Sequence, residues 1–232
     1  MSDRMLITEQ RLALRSATTR LAEDFAGVFA AETIERFLNA SWDQFSTNAT
    51  TLSFVPVLAE RFARQRLRAL ARVEGKTDDG LPTVLFLCVH NAGRSQMALG
   101  WFNQLAGDRA IAWSGGSEPT DEVNPVAIAA MAEVGIDISS EYPKPGTDEI
   151  VQAADVVVTM GCGDACPLFP GKRYEDWELD DPARLDLAAV RPIRDEIGQR
   201  VRALLDSLGV VTTSTARSRR SCTTSSTTTR RR

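Results

Sequence analysis

The chain is short of histidine, cysteine and long apolar runs, and each scarcity removes a class of function. No stretch approaches the ~18 consecutive apolar residues that a membrane-spanning helix requires, and the opening MSDRMLITEQRL has no apolar core of the signal-peptide kind. The expectation is a soluble, cytoplasmic protein with no membrane partner. Four cysteines in 232 residues (Cys88, Cys162, Cys166 and Cys222) are too few and too unevenly spread for a disulfide scaffold. In a reducing compartment, closely spaced thiols more often do chemistry or hold metal. No segment recurs at a period of about 20 to 50 residues, which excludes solenoids and propellers.

What is present is a composition able to build a core, since 43% of the residues are hydrophobic. The net charge of -4 hides an asymmetry. Residues 211 to 232 hold six arginines and no acid, which leaves 21 basic against 31 acidic residues for the remainder. A folded part of that sign is the opposite of a nucleic-acid binder's, so no nucleic acid is expected as a partner. The tail VTTSTARSRRSCTTSSTTTRRR is nearly free of large apolar residues, cannot offset its ordering entropy, and is predicted to be disordered.

Residues 1 to 75 show helical periodicity in three segments. The first aligns Leu12, Leu14, Leu21, Phe25 and Phe29; the second aligns Ile34, Phe37, Leu38 and Trp42; the third starts near Pro56 and stops at Gly75. A small all-α three-helix domain is expected. Arg61, Arg64, Arg66, Arg68 and Arg72 alternate with apolar residues beside Glu60 and Glu74, which reads as a solvated helix face. Residues 76 to 82 have the Gly, Asp and Pro content of a linker. From 83 to 210 strand patterns alternate with helix patterns: TVLFLC, AIAW and DVVVTM as strands, with helical stretches after each and a long closing helix. That alternation predicts an α/β domain, a parallel sheet with helices on both faces, whose ligand sits beyond the carboxyl ends of the strands.

Cys88 ends the first of these strands, and the segment Cys88-Val89-His90-Asn91-Ala92-Gly93-Arg94-Ser95 then leads into a helix. A turn of this length wraps the sulfur, and its N–H groups together with the first unpaired donors of the helix make an anion cradle. Gly93 permits a tight conformation, and Asn91 tolerates a left-handed one. Arg94 supplies a planar fork for two oxygens of a tetrahedral oxyanion. The same field favours the thiolate form of a cysteine, and a Ser95 hydroxyl favours it further. Cys88 is therefore the candidate nucleophile, and Val89 to Ser95 form the candidate oxyanion site. His90 is expected to line the loop.

Two further features qualify as chemistry. Cys162 and Cys166 are a redox pair, half a zinc site or a coincidence of spacing. Zinc would need two more ligands from His90, Cys88 or Cys222, and the first two belong to the cradle. Asp180-Asp181-Pro182 is by itself a turn or helix-start signal.

CVHNAGRS resembles the Cys-x5-Arg-Ser phosphate loop shared by low-molecular-weight protein tyrosine phosphatases and thioredoxin-linked arsenate reductases. The resemblance covers about residues 82 to 209, and VVVTMGCGDACPLFPGKRYEDWELDDPA is similar to the redox segment and acid loop of the reductases. It implies a low-molecular-weight phosphatase-like fold and reduction of arsenate, with phosphate or sulfate as mimics. It makes Asp181 the general acid, with Asp180 as the alternative, and Cys162 and Cys166 a relay that passes the oxidation from Cys88 to an external thiol. No bound cofactor is implied. The reductant is thioredoxin, or mycothiol with a mycoredoxin, because the pair is more narrowly spaced than in related reductases and Gly93 stands where many carry a second loop cysteine. Ala183 and Arg184 follow the Asp-Pro pair, where the phosphatases tend to carry aromatic residues. A tyrosine phosphatase and a non-catalytic oxyanion sensor are the competing readings.

Overall fold

The computed structural model describes residues 8–47, 49, 51–77, 79–161 and 169–212. The expected redox pair and the arginine-rich tail fall outside them.

Three helices come first: α1 (Thr8–Asp24), α2 (Ala31–Ser46) and α3 (Val55–Val73). Their shared core joins Leu21, Ile34, Phe37 and Leu38 to Ala59, Ala63 and Leu67 of α3. Pro56 sits in the first turn of α3, where its missing N–H leaves no bond unmade. Leu12, expected on the apolar side, is instead 65% exposed. The bundle closes over the C-terminal half of α1, where the shorter side chain of Ala17 lets the helices approach.

Strand β1 (Thr83–Cys88) follows, then α4 (Arg94–Ala106), β2 (Ile111–Gly116), α5 (Pro125–Glu133), α6 (Asp148–Ala153), β3 (Val156–Met160), β4 (Arg173–Asp176) and α7 (Leu187–Ser207). All pairings are parallel and the order is β2-β1-β3-β4. The central strand β1 is buried along its whole length, and its side chains alternate between two cores. Val84, Phe86 and Cys88 face α4, α5 and α7. Leu85 and Leu87 face α6 and, unexpectedly, α3. Helix α3 thus has two apolar faces. Ala59, Ala63 and Leu67 turn to the bundle, while Phe62 and Ala69 cover the sheet. Phe62 is 1% exposed, and burial of such a ring contributes roughly 3 kcal/mol.

The arginines of α3 correct the expectation of a solvated face. Arg66 pairs with Glu149 of α6, and its guanidinium lies 4.7 Å from the Phe37 ring centroid. Arg72 bridges Asp79 and Asp155, each at 3.0 Å. Arg64 meets Asp24 at 2.7 Å and Glu60 at 3.0 Å, and Arg61 lies over the Tyr142 ring at 4.6 Å while donating to the Ser140 carbonyl. Most of this basic row therefore stitches the bundle together or ties it to the α/β body, and among the described residues Arg68 alone has no such partner. Among the described residues no helix is long and apolar enough to cross a membrane.

Candidate active site

Cys88 is the last residue of β1, and the loop after it lies beyond the carboxyl ends of the parallel strands. Cys88 is a free thiol, 2% exposed. The loop after it is held from outside by residues 117 to 124. The carbonyls of Cys88, Val89, His90 and Ala92 accept from the N–H groups of Ser117, Glu118, Thr120 and Asn124, at 2.8 to 3.3 Å. In a trans peptide the N–H points opposite to the carbonyl, so the amides of Val89, His90, Asn91 and Gly93 point away from residues 117 to 124. Gly116 makes this packing possible, since a Cβ there would lie 2.6 Å from the Val89 carbonyl oxygen.

Asn91 is the pivot. Its φ of 48° is left-handed, a region that Asn tolerates better than most side chains, and it is fully buried. Its Oδ1 accepts from the Lys144 N–H at 2.9 Å and from Gln96 Nε2 at 3.2 Å, and its Nδ2 donates to Ser95 Oγ at 2.8 Å. Ser95 Oγ is 3.0 Å from Cys88 Sγ. Because Asn91 already donates to that oxygen, the serine proton is free to point at the sulfur, where it solvates a negative charge.

Arg94, the first residue of α4, has a side chain only 9% exposed. Its guanidinium donates to Asp181 Oδ2 at 3.1 Å and to the Leu179 carbonyl at 3.3 Å. The other oxygen of Asp181 accepts from the Ala183 N–H at 2.9 Å, and Asn124 Nδ2 donates to the Pro182 carbonyl at 3.4 Å. Pro182 rests on Gly93 so closely that a Cβ at 93 would meet its Cγ at 2.6 Å. The Asp-Pro loop is thus latched over the phosphate loop by contacts at Gly93, Arg94 and Asn124. Asp180 is exposed and makes no hydrogen bond or ion pair among the described residues. His90 is exposed at the rim, its Nδ1 3.2 Å from the Glu118 carbonyl oxygen.

Cys162 and Cys166 lie outside the described residues. Gly161, their immediate neighbour, has φ 75°, and a Cβ on it would sit 2.9 Å from Arg94 Nη1. The chain therefore enters the cysteine segment directly beside the guanidinium.

The structure adds residues that sequence reasoning missed. Lys144 is buried; its Nζ donates to Ser114 Oγ and the Tyr142 carbonyl, both at 3.3 Å. Burial pushes its pKa down to about 8. Gln96 Nε2 donates to the Asn91 carbonyl at 3.0 Å, and Asn124 anchors both loops. The only sequence signal for Gln96 was its place in the first turn after the loop. Lys144, between two prolines, and Asn124, before Pro125, carried none beyond turn character.

A strand-loop-helix that cradles a thiol, closed by an aspartate loop on a four-stranded parallel sheet, defines the class. Residues 83–213 match the family described as low molecular weight phosphotyrosine protein phosphatase, and the chain belongs to it. Residues 14–71 match a second family, the protein-tyrosine-phosphatase-like N-terminal domain.

Several of the similar proteins are named arsenate reductases. Arsenate reductase 2 of Staphylococcus saprophyticus is 41% identical over 129 residues, covering 54% of this chain and 97% of the relative. The arsenate reductase of Bacillus subtilis is 42% identical over 134 residues, covering 53% and 95%. The thioredoxin-dependent arsenate reductase of Corynebacterium glutamicum is a solved structure with a TM-score of 0.76 and 43% identity; the match covers 84% of this chain and 96% of that one. A match of that extent reaches past the α/β part into the N-terminal helices.

Proposed function

We propose that the protein reduces arsenate to arsenite with electrons from its own thiols and an external thiol reductant. The observation that carries the proposal is a buried thiol with the Ser95 hydroxyl 3.0 Å from its sulfur, at the start of a loop that leads into Arg94, itself paired with Asp181. The 43% identity to a thioredoxin-dependent arsenate reductase over 84% of the chain supports the choice of substrate and reductant.

The Cys88 thiolate attacks arsenic(V) held by the loop amides and the Arg94 fork. One arsenate oxygen leaves as water after Asp181 gives it a proton, which leaves a covalent thiol–arsenic adduct. Asp181 suits this step because its carboxylate reaches the Arg94 guanidinium that would hold the oxyanion, whereas Asp180 makes no such contact. The Cys162 thiolate then attacks the Cys88 sulfur. The sulfur–arsenic bond breaks with its electron pair on arsenic, arsenite departs, and a Cys88–Cys162 disulfide forms. Cys166 attacks Cys162 in turn, freeing Cys88 as thiolate and leaving a Cys162–Cys166 disulfide for a dithiol partner to reduce. The entry of the chain at Gly161 beside Arg94 favours Cys162 as the first resolving thiol. Thioredoxin is the proposed dithiol, and a mycothiol and mycoredoxin system is the competing donor.

Turnover of arsenate by the full chain should be measured with thioredoxin, thioredoxin reductase and NADPH, and separately with mycothiol and mycoredoxin. Cys88→Ser should abolish activity with both donors, and Cys162→Ser and Cys166→Ser should abolish it with thioredoxin. Undiminished reduction by Cys88→Ser overturns the mechanism. Full thioredoxin-coupled activity in both other variants overturns the relay alone. Hydrolysis of an aryl phosphate at a higher kcat/KM than arsenate reduction would mark the chain as a phosphatase.

A further inference from the structure

A second cleft, separate from the Cys88 cradle, opens between α3 and the free edge of the sheet. Its volume is about 540 Å³, within the range of small-molecule sites. One wall is a single face of α3, where Arg61, Arg64, Gln65 and Arg68 recur at helical spacing. The facing wall is β2 at Trp113 and Ser114, with Lys144 beside them.

The cations here are poorly matched by the protein itself. Arg64 is neutralised by Asp24 and Glu60, but Arg68 and Arg61 form no ion pair among the described residues, although Arg61 donates one N–H to the Ser140 carbonyl and lies over the Tyr142 ring. The carboxylate nearest to the Lys144 ammonium, on Glu141, is 3.9 Å away. The Gln65 amide nitrogen is buried with no hydrogen-bond partner among the described residues. Glu141 and Asp108 are the acids lining the cleft. Arg61 and Arg68, two turns apart on one helix face, together with Lys144 opposite concentrate positive charge that an anion between them would offset.

We propose that this cleft binds a small phosphorylated molecule carrying at least two negative charges. Arg68 and Arg61 would hold its oxygens from α3 and Lys144 from the opposite wall. The volume and the concentration of positive charge at one spot favour a small polyanion over an acidic protein segment. The proposal does not rest on the redox reading, since no residue of the cradle takes part. It has a route to that cradle, because the backbone N–H of Lys144 is bonded to Asn91.

Inorganic pyrophosphate is the probe, titrated calorimetrically at low salt into the full chain carrying Arg94→Ala, so that the phosphate loop does not compete. One site per chain is expected, weakened about tenfold or more by adding Arg68→Glu. Arg202→Glu, on α7 across the sheet, is the control for general electrostatic attraction. Absence of binding in the Arg94→Ala chain overturns the proposal. So does equal weakening by Arg68→Glu and Arg202→Glu, or tighter binding of a poly-glutamate peptide than of pyrophosphate. Arg68 is exposed on a helix surface, so its reversal tests the site without threatening the fold.

Discussion

Replacing Lys144 by methionine measures what it costs to keep an ammonium group behind the phosphate loop. That group is 3% exposed, has two neutral acceptors at 3.3 Å, and lies 4.5 Å from the centroid of the Tyr142 ring. Loss of hydration outweighs these contacts and the pull of Glu141, and Arg61 adds repulsion, so the pKa falls from 10.5 to about 8. The unfolded chain holds this proton up to the ordinary lysine value while the folded chain releases it near 8. Unfolding therefore takes up a proton between the two, and stability rises with pH across that window. One pH unit between the values is worth ~1.4 kcal/mol, so the charged side chain costs about 3 kcal/mol at pH 7 and almost nothing above pH ~10.5. Methionine keeps most of the stem and removes the charge, but leaves the Tyr142 carbonyl without its donor, at about 1 kcal/mol. Lys144→Met should be the more stable chain by about 2 kcal/mol at neutral pH, with the advantage gone or reversed near pH 10.5. Urea unfolding of both chains from pH 7 to 10.5 gives a difference curve in which their shared tyrosines and other lysines cancel. A flat difference across the window refutes the assignment of buried charge to Lys144.

Three further perturbations probe the cradle and its support. Gly93→Ala places a methyl group 2.6 Å from Pro182 and must push the acid loop outward, so kcat for arsenate should fall roughly a hundredfold while the fold stays intact by circular dichroism. Ser95→Ala removes the hydroxyl proton aimed at the sulfur, and both turnover and the rate of Cys88 alkylation by iodoacetamide at neutral pH should drop about tenfold; an unchanged alkylation rate would mean that the hydroxyl points elsewhere. Arg66→Ala leaves Glu149, whose side chain is 16% exposed, with the Thr147 hydroxyl but no cation, and strips a cation from the Phe37 ring, so urea unfolding should show a loss of about 2 kcal/mol.

How much of this was legible in advance depends on how local each feature is. Cys88, Asn91, Gly93, Arg94 and Ser95 fall within eight consecutive residues, and a short strand-to-helix turn leaves few ways to arrange them, so spacing alone anticipated the left-handed turn at Asn91 and the helix start at Arg94. Asp181 is more than eighty residues away, and only the resemblance of its loop brought it to the site; the ion pair with Arg94 gives that placement a physical basis. Lys144 and Asn124 could not be read at all. Each acts through contacts made by the fold, the first through its backbone N–H to Asn91 and the second through its backbone N–H to Ala92 and its side-chain amide to Pro182. Strand β4 was missed because Arg-Tyr-Glu-Asp offers no apolar run; as an edge strand it needs only one paired side. The arginines of α3 were misread for a related reason. A helix with one solvated face and a helix wedged between a bundle and a sheet both interleave charged and apolar residues, and only Glu149, Asp155 and Tyr142, contributed by the other half of the chain, distinguish them. The N-terminal helices are therefore packed into the α/β body: with α3 removed, Leu85 and Leu87 of the strand that carries Cys88 would keep α6 but lose the cover that Phe62 and Ala69 supply.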